Sequence, residues 1–198
     1  MSNLSDQISV GFEGHLRILG YDDDKSEPIE LLNKRNAIHR EHASILLATA
    51  IADRDENGSI YSMHFGTGGA TIDPLGNITY ATPNTTGAAD LNVPAYFEVV
   101  NDNAGAPSGN QLAVKHTSGT LFSDVEIRCV LDRNEPFGQA AFDNIAGTNI
   151  NEATFNFDEI GLKTEAGLLI THVVFSPIEK TANRVIEVVY TLRITVNP

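Results

Sequence analysis

Thr154–Lys163 (TFNFDEIGLK), Leu168–Phe175 (LLITHVVF) and Val185–Val196 (VIEVVYTLRITV) decide the fold. Each run is rich in Val, Ile, Thr, Tyr and Phe, side chains that suit a pleated, half-buried surface. Glu165-Ala166-Gly167 makes a tight link between the first two, and Pro177 to Asn183 a longer link to the third. The third run stops just before Pro198, so the reading predicts a last strand tied into a sheet.

Working outward, the same pattern recurs. In Leu121–Leu131, Val125, Ile127, Cys129 and Leu131 alternate with Glu126, Arg128 and Val130. Leu112–Lys115, Ala95–Val100, Ile78–Ala81 and Ile60–Phe65 read as shorter strands. In Ile8–Leu19, Phe12, Gly14, Leu16 and Ile18 fall on one side, and Glu13, His15 and Arg17 on the other. Ile29–Leu32 returns across the charged turn Tyr21–Lys25, which predicts a hairpin. Pro83–Asn92 is a polar loop, Asn101–Gly109 (NDNAGAPSG) is a long polar loop, and Asn134–Gly147 is a loop or a single helical turn. Many short strands separated by turn signals predict a mainly β chain, an antiparallel β-sandwich. Residues 1–198 read as one such domain, with residues 1–7 a flexible N-terminal arm.

One stretch breaks the pattern. Asn33–Gly69 (NKRNAIHREHASILLATAIADRDENGSIYSMHFGTGG) contains the one convincing helix, predicted over about 37–52 with Asn36 as its N-cap. Ile38, Ile45, Leu46, Ala50 and Ala52 form its stripe, widened by Leu47 and Ile51, while Arg40, Glu41 and Ser44 face solvent. A helix so apolar in its C-terminal half is expected to pack on a sheet. Asn57-Gly58 then reverses the chain.

The totals narrow the function. A chain of 198 residues, 41% hydrophobic and 20% charged, can bury a core without staples. A net charge of −13 argues against nucleic acid and against anionic membrane surfaces, and fits a partner with basic patches. No run approaches the about 18 apolar residues of a membrane span. The start, MSNLSDQISV, lacks a signal-type pattern, so the expected site of synthesis is a cytoplasm. The lone Cys129 excludes an internal disulfide framework and reads as a small buried hydrophobe.

Each candidate for chemistry falls short of its template. Asp53, Asp55 and Asn57, followed by Gly58 and Ile60, match the first part of a calcium loop, but His64 stands where the bidentate acid belongs. A solvated helix-to-strand turn is the simpler reading. His39 and His42 share a helix face without an evident third ligand. Gly66-Thr67-Gly68-Gly69-Ala70-Thr71 lacks the Lys-Ser/Thr pair of a phosphate loop and reads as a tight glycine crossing. Asp22, Asp23 and Asp24, with Glu27 and Glu30, read as an exposed acidic loop. Asp158 and Glu159 are neighbours, so on a regular strand they point to opposite faces and cannot pair for acid–base work. No catalytic residue, cofactor site or metal site is expected, and the chain does not read as an enzyme.

Three segments in order carry a resemblance. They are NKRNAIHREHASILLATAIAD, then GSIYSMHFGTGGATIDPLGNITYATPN, then FDEIGLKTEAGLLITHVVFSPIEKTANRVIEVVYTLRITV. Together they resemble virion structural proteins of tailed bacteriophages, including the N-terminal modules of tail-fibre and collar-type proteins. The matching positions are Phe65–Gly69, Glu159–Leu162, Gly167–Leu169 and Val185–Val196, and the three segments make up a little under half of the chain. The resemblance implies a non-enzymatic part of the neck, collar or tail that attaches or adapts other virion proteins, works as a homo-oligomer, and resides in the virion after synthesis in the host bacterial cytoplasm. A capsid decoration protein is the alternative. A calcium-dependent or carbohydrate-binding module is a further one.

Overall fold

The computed structural model describes residues 8–22, 27–54, 56–133, 135–136 and 154–197. Two five-stranded antiparallel sheets face each other. The first runs in the order β2 (Ile29–Arg35), β1 (Ser9–Tyr21), β12 (Val185–Asn197), β9 (Phe122–Leu131), β8 (Gln111–His116). The second runs β3 (Ala37–Ile38), β11 (Leu169–Thr181), β10 (Thr154–Thr164), β4 (Ile60–Gly66), β7 (Pro94–Val99). A small separate hairpin pairs β5 (Ala70–Ile72) with β6 (Ile78–Tyr80). Among the described residues, the expected mainly β sandwich with one α-helix is the observed architecture.

Alternation explains why these runs are strands. Leu16 and Ile18 of β1, Ile127, Cys129 and Leu131 of β9, and Ile186, Val188, Tyr190 and Leu192 of β12 supply one half of the core. Met63 and Phe65 of β4, Phe155, Phe157, Ile160 and Leu162 of β10, and Ile170, Val173 and Phe175 of β11 supply the other. With no Trp in the chain, Phe157 fills the centre, meeting Phe65 edge-on at 5.4 Å and Phe175 at 5.9 Å. Cys129 is fully buried among them, as its position in an alternating run implies. The C-terminal strand β12 is the central strand of its sheet, paired along its length with β1 and with β9.

Several boundaries differ from the sequence reading, each for a physical reason. Helix α1 spans Arg40–Ala52, so it begins three residues later than Ala37. Asn36 is not its cap: its amide N–H donates to the Gly14 carbonyl at 3.1 Å, extending the β1–β2 ladder. Ala37 and Ile38 then cross to the second sheet and pair with β11. His39 caps the helix instead, its side chain accepting the His42 N–H. Arg40, Glu41 and Ser44 are exposed as expected. Of the apolar stripe, only Leu46 is fully on the buried face, however. His42, Ala43 and Leu46 are buried, while Ile51 is 78% exposed. The link to the last strand is also shorter than Pro177–Asn183, because β11 runs on to Thr181. Ala70–Ile72, not among the expected strands, is a strand of the small hairpin. Gly66, read as irregular, ends β4. The expected arm at 1–7, most of the stretch 134–147 and three of the residues in the Tyr21–Lys25 turn lie outside the described residues.

Candidate functional site

The polar chemistry gathers on the outer face of the second sheet, where two loops are held by two buried carboxylates. The strand phase of β10 explains the arrangement. Phe155 and Phe157 point into the core, and so do Ile160 and Leu162, so the in–out alternation slips between them. The slip coincides with a bulge. Phe157 faces Ile178 and Glu159 faces Val174, which leaves Phe175, Ser176 and Pro177 of β11 opposite the single residue Asp158, outside the regular register. Pro177 is tolerated there because its missing N–H falls where no ladder bond is made. Asp158 and Glu159 therefore do not diverge. Both reach the same glycine segment, contrary to the expectation from a regular strand.

Asp158 accepts the Gly69 N–H at 2.7 Å and the Ala70 N–H at 3.0 Å. Glu159 accepts Gly68 N–H at 3.1 Å and Val93 N–H at 2.7 Å on Oε1. On Oε2 it accepts the Asn92 N–H at 2.9 Å, the Asn92 side-chain amide at 3.1 Å and His172 Nε2 at 2.9 Å. The glycines permit this approach. A methyl at Gly66 would meet the Glu159 carboxylate, and one at Gly69 would drive into the Asp158 backbone carbonyl. The segment resembles a phosphate cradle in its row of amides, but this chain's own carboxylates fill it.

His172 completes the junction. Asn84 donates its backbone N–H to His172 Nδ1 at 2.8 Å, so Nδ1 is the acceptor and Nε2 the donor to Glu159. Asn84 also donates from its side chain to the Asp90 carbonyl, and Lys163 pairs with the Asp90 carboxylate at 2.6 Å. Leu91 is buried in the same loop, where a side chain at Gly161 would collide with it. The polar loop Pro83–Asn92 is thus strapped across the sheet.

Electrostatics follow from burial and bonding. Burial pushes the Glu159 carboxyl up, but the His172 bond and the Val93, Asn92 and Gly68 amides outweigh it, and the group lies below its ordinary value. Asp158 lies above its ordinary value because burial, helped by the neighbouring Glu159 charge, outweighs its amide bonds. Both carboxylate oxygens of Glu159 and both ring nitrogens of His172 are committed to internal partners, and both side chains are fully buried. The arrangement can hold two loops on a sheet, and it leaves neither residue an atom for a substrate.

The other sequence candidates fall into separate structural tasks. Asp53 is the left-handed C-cap residue of α1, with φ of 50°. Asn57 accepts the Thr164 hydroxyl at 2.8 Å, which ties the turn to the end of β10. Asp55 lies outside the described residues. His64 sits in β4 beside Ser62 and stacked on Phe97, with burial and the Lys163 charge pushing it down to about 4. His39 and His42 do share a face, but as a stack with ring centres 3.5 Å apart. His39 donates to the Gly87 carbonyl and His42 to the Leu169 carbonyl, so the pair ties the helix start to the loop and to β11. Among the described residues no group of three or more His, Cys, Asp or Glu is placed to hold a metal. Asp22 of the acidic stretch pairs with Arg184 at 2.7 Å.

Sequence reasoning missed the Asp158–Glu159 junction. Its signals were the phase slip from Phe157 to Ile160 and the proline inside a strand-like run. Comparison with protein-family models, curated proteins and solved structures gives no match.

Proposed function

We propose that this chain is a non-enzymatic structural component of a tailed-phage virion, set at the neck, collar or tail as an adaptor or attachment part. One observation carries the reading: segments that bear the resemblance meet at a single junction. Phe65–Gly69 supplies the Gly68 amide, and Glu159–Leu162 supplies the carboxylate that accepts it, while the neighbouring Asp158 accepts the Gly69 amide. The motif is therefore a means of holding loops in shape. A junction whose polar atoms are all spent on internal bonds suits a part that keeps geometry in an assembly. The net charge of −13 suits docking to neighbours with basic patches.

Quantitative mass spectrometry of purified particles tests the proposal. The reading expects the chain to sediment with particles at roughly a dozen copies or fewer, the stoichiometry of an axial ring. A copy number on the scale of the shell lattice would replace it with the capsid decoration reading. Absence from particles would overturn both.

A further inference from the structure

The first half of β1 is an open sheet edge. β12 pairs with β1 from Ser9 to Tyr21, but β2 covers only His15 to Gly20, so no described strand pairs with Ser9–Glu13 on that side. The direction of the backbone groups there can be read from the ladder. Gly14 accepts the Asn36 N–H on the β2 side, and strand alternation then turns the N–H and C=O of Phe12 and Val10 the same way. A second observation agrees. Val196, the partner of Val10, donates its N–H to Leu121, away from β1, so Val10 spends nothing on that pair.

Beside this edge lies a groove of about 990 Å³, walled by Val10, Phe12, Ile38, Ala43, Leu47 and Thr85. Val10 is 44% exposed, and Phe12 is half-buried against the core. An open edge with apolar side chains is a template for another strand, and native proteins normally blunt one with Lys, Pro or a covering element. Ser9–Glu13 (SVGFE) carries neither Lys nor Pro.

We infer that two copies of this chain pair antiparallel through Ser9–Glu13 of β1, about a two-fold axis passing by Gly11. The segment is self-complementary in that register. Val10 of one copy faces Phe12 of the other, and these are the residues whose N–H and C=O point outward, so each such pair exchanges backbone hydrogen bonds. Their side chains lie on the inner face with Gly14, Leu16 and Ile18, so the second copy's Val10 and Phe12 enter the groove beside Ile38 and Leu47. Glu13 faces Ser9, so no like charges meet. Gly11 faces its own copy on the outer side, where a Cβ would meet nothing. The two outer sheets then join as one continuous sheet, and a symmetric closed dimer results. This inference does not depend on the virion reading.

Sedimentation velocity on the full chain, with two variants, tests it. Wild type is expected to sediment as a dimer at micromolar concentration. Val10→Pro removes an outward N–H without touching the β1–β12 ladder, and should raise the dimer dissociation constant by about tenfold or more while far-ultraviolet dichroism is unchanged. In Gly11→Cys the facing Cα atoms would lie about 4.5 Å apart, within the span a disulfide bridges. Oxidation should then give a covalent dimer, and Val114→Cys, exposed on β8, should not. The remaining thiol, Cys129, is buried and does not compete. A monomer at all concentrations, or a Gly11→Cys chain that cross-links no faster than Val114→Cys, would overturn the inference.

Discussion

Glu159 shows how one buried charge can be given a structural task. An unpaired carboxylate in this position would be costly, yet it accepts from two loops and from His172, so removing it strands several buried donors at once. Glu159→Ala should therefore cost about 3–5 kcal/mol, the range seen when one side of a buried pair is removed. Thermal unfolding would show it as a fall of roughly 10 °C for a domain of this size. The pH dependence has a definite sign. The folded-state carboxyl sits below its ordinary value of 4.5, so its contribution is complete above that value and is lost as pH falls through the lower one. Stability measured from pH 6 downward should drop more steeply for wild type than for Glu159→Gln. Lys180 gives a slope of the same sign in an alkaline window, but as a burial cost that deprotonation relieves. Burial pushes its ammonium down to about 8 from 10.5, so the unfolded chain binds more protons between those values and stability rises with pH across that window. Lys180→Met should abolish that rise, which denaturant melts at pH 7.5 and pH 10 would reveal. The slip in alternation marks the junction but could not reveal its partners, because most of the donors are backbone amides of segments 68–70 and 92–93, far from Glu159 along the chain.

At the scale of elements, strands were legible and their irregularities were not. The phases of β1, β9 and β12 follow directly from alternating side chains, because each has one buried face. The helix was found but misjudged. Asn36 is a favoured cap by residue type, but the sheet claims its backbone through Gly14 first, and His39 takes the capping role by tertiary position. Its apolar stripe was right at Leu46 but misled beyond it, because α1 buries His42, Ala43 and Leu46, all in its first seven residues. Alanine substitutions separate the two views. Leu46→Ala should cost about 2–3 kcal/mol as a core truncation, while Ile51→Ala should stay within about 0.5 kcal/mol. Equal losses at both sites would favour the broader stripe. The glycine segment offers a second check. Gly69→Ala forces a methyl against the Asp158 carbonyl, a fixed backbone atom, and should cost about 1–3 kcal/mol in equilibrium unfolding.

Across the whole molecule, the chain closes on itself. β1 near one end pairs along its full length with β12 near the other, and β12 also pairs with β9. The first sheet cannot form without its last strand, so a chain ended at Arg184 should show no cooperative thermal transition. This closure was foreshadowed by the third C-terminal run, whereas the assignment of β11 and β12 to different sheets depends on packing that no local pattern encodes. The proposed role rests on the same scale: an acidic sandwich whose Pro83–Asn92 loop is strapped to the sheet and whose first strand leaves Ser9–Glu13 without a described neighbour on one side. Electron microscopy of particles labelled with an antibody to this chain tests that role most directly. The account predicts label confined to the neck, collar or tail. Label spread over the shell, or none on the particle, would contradict it.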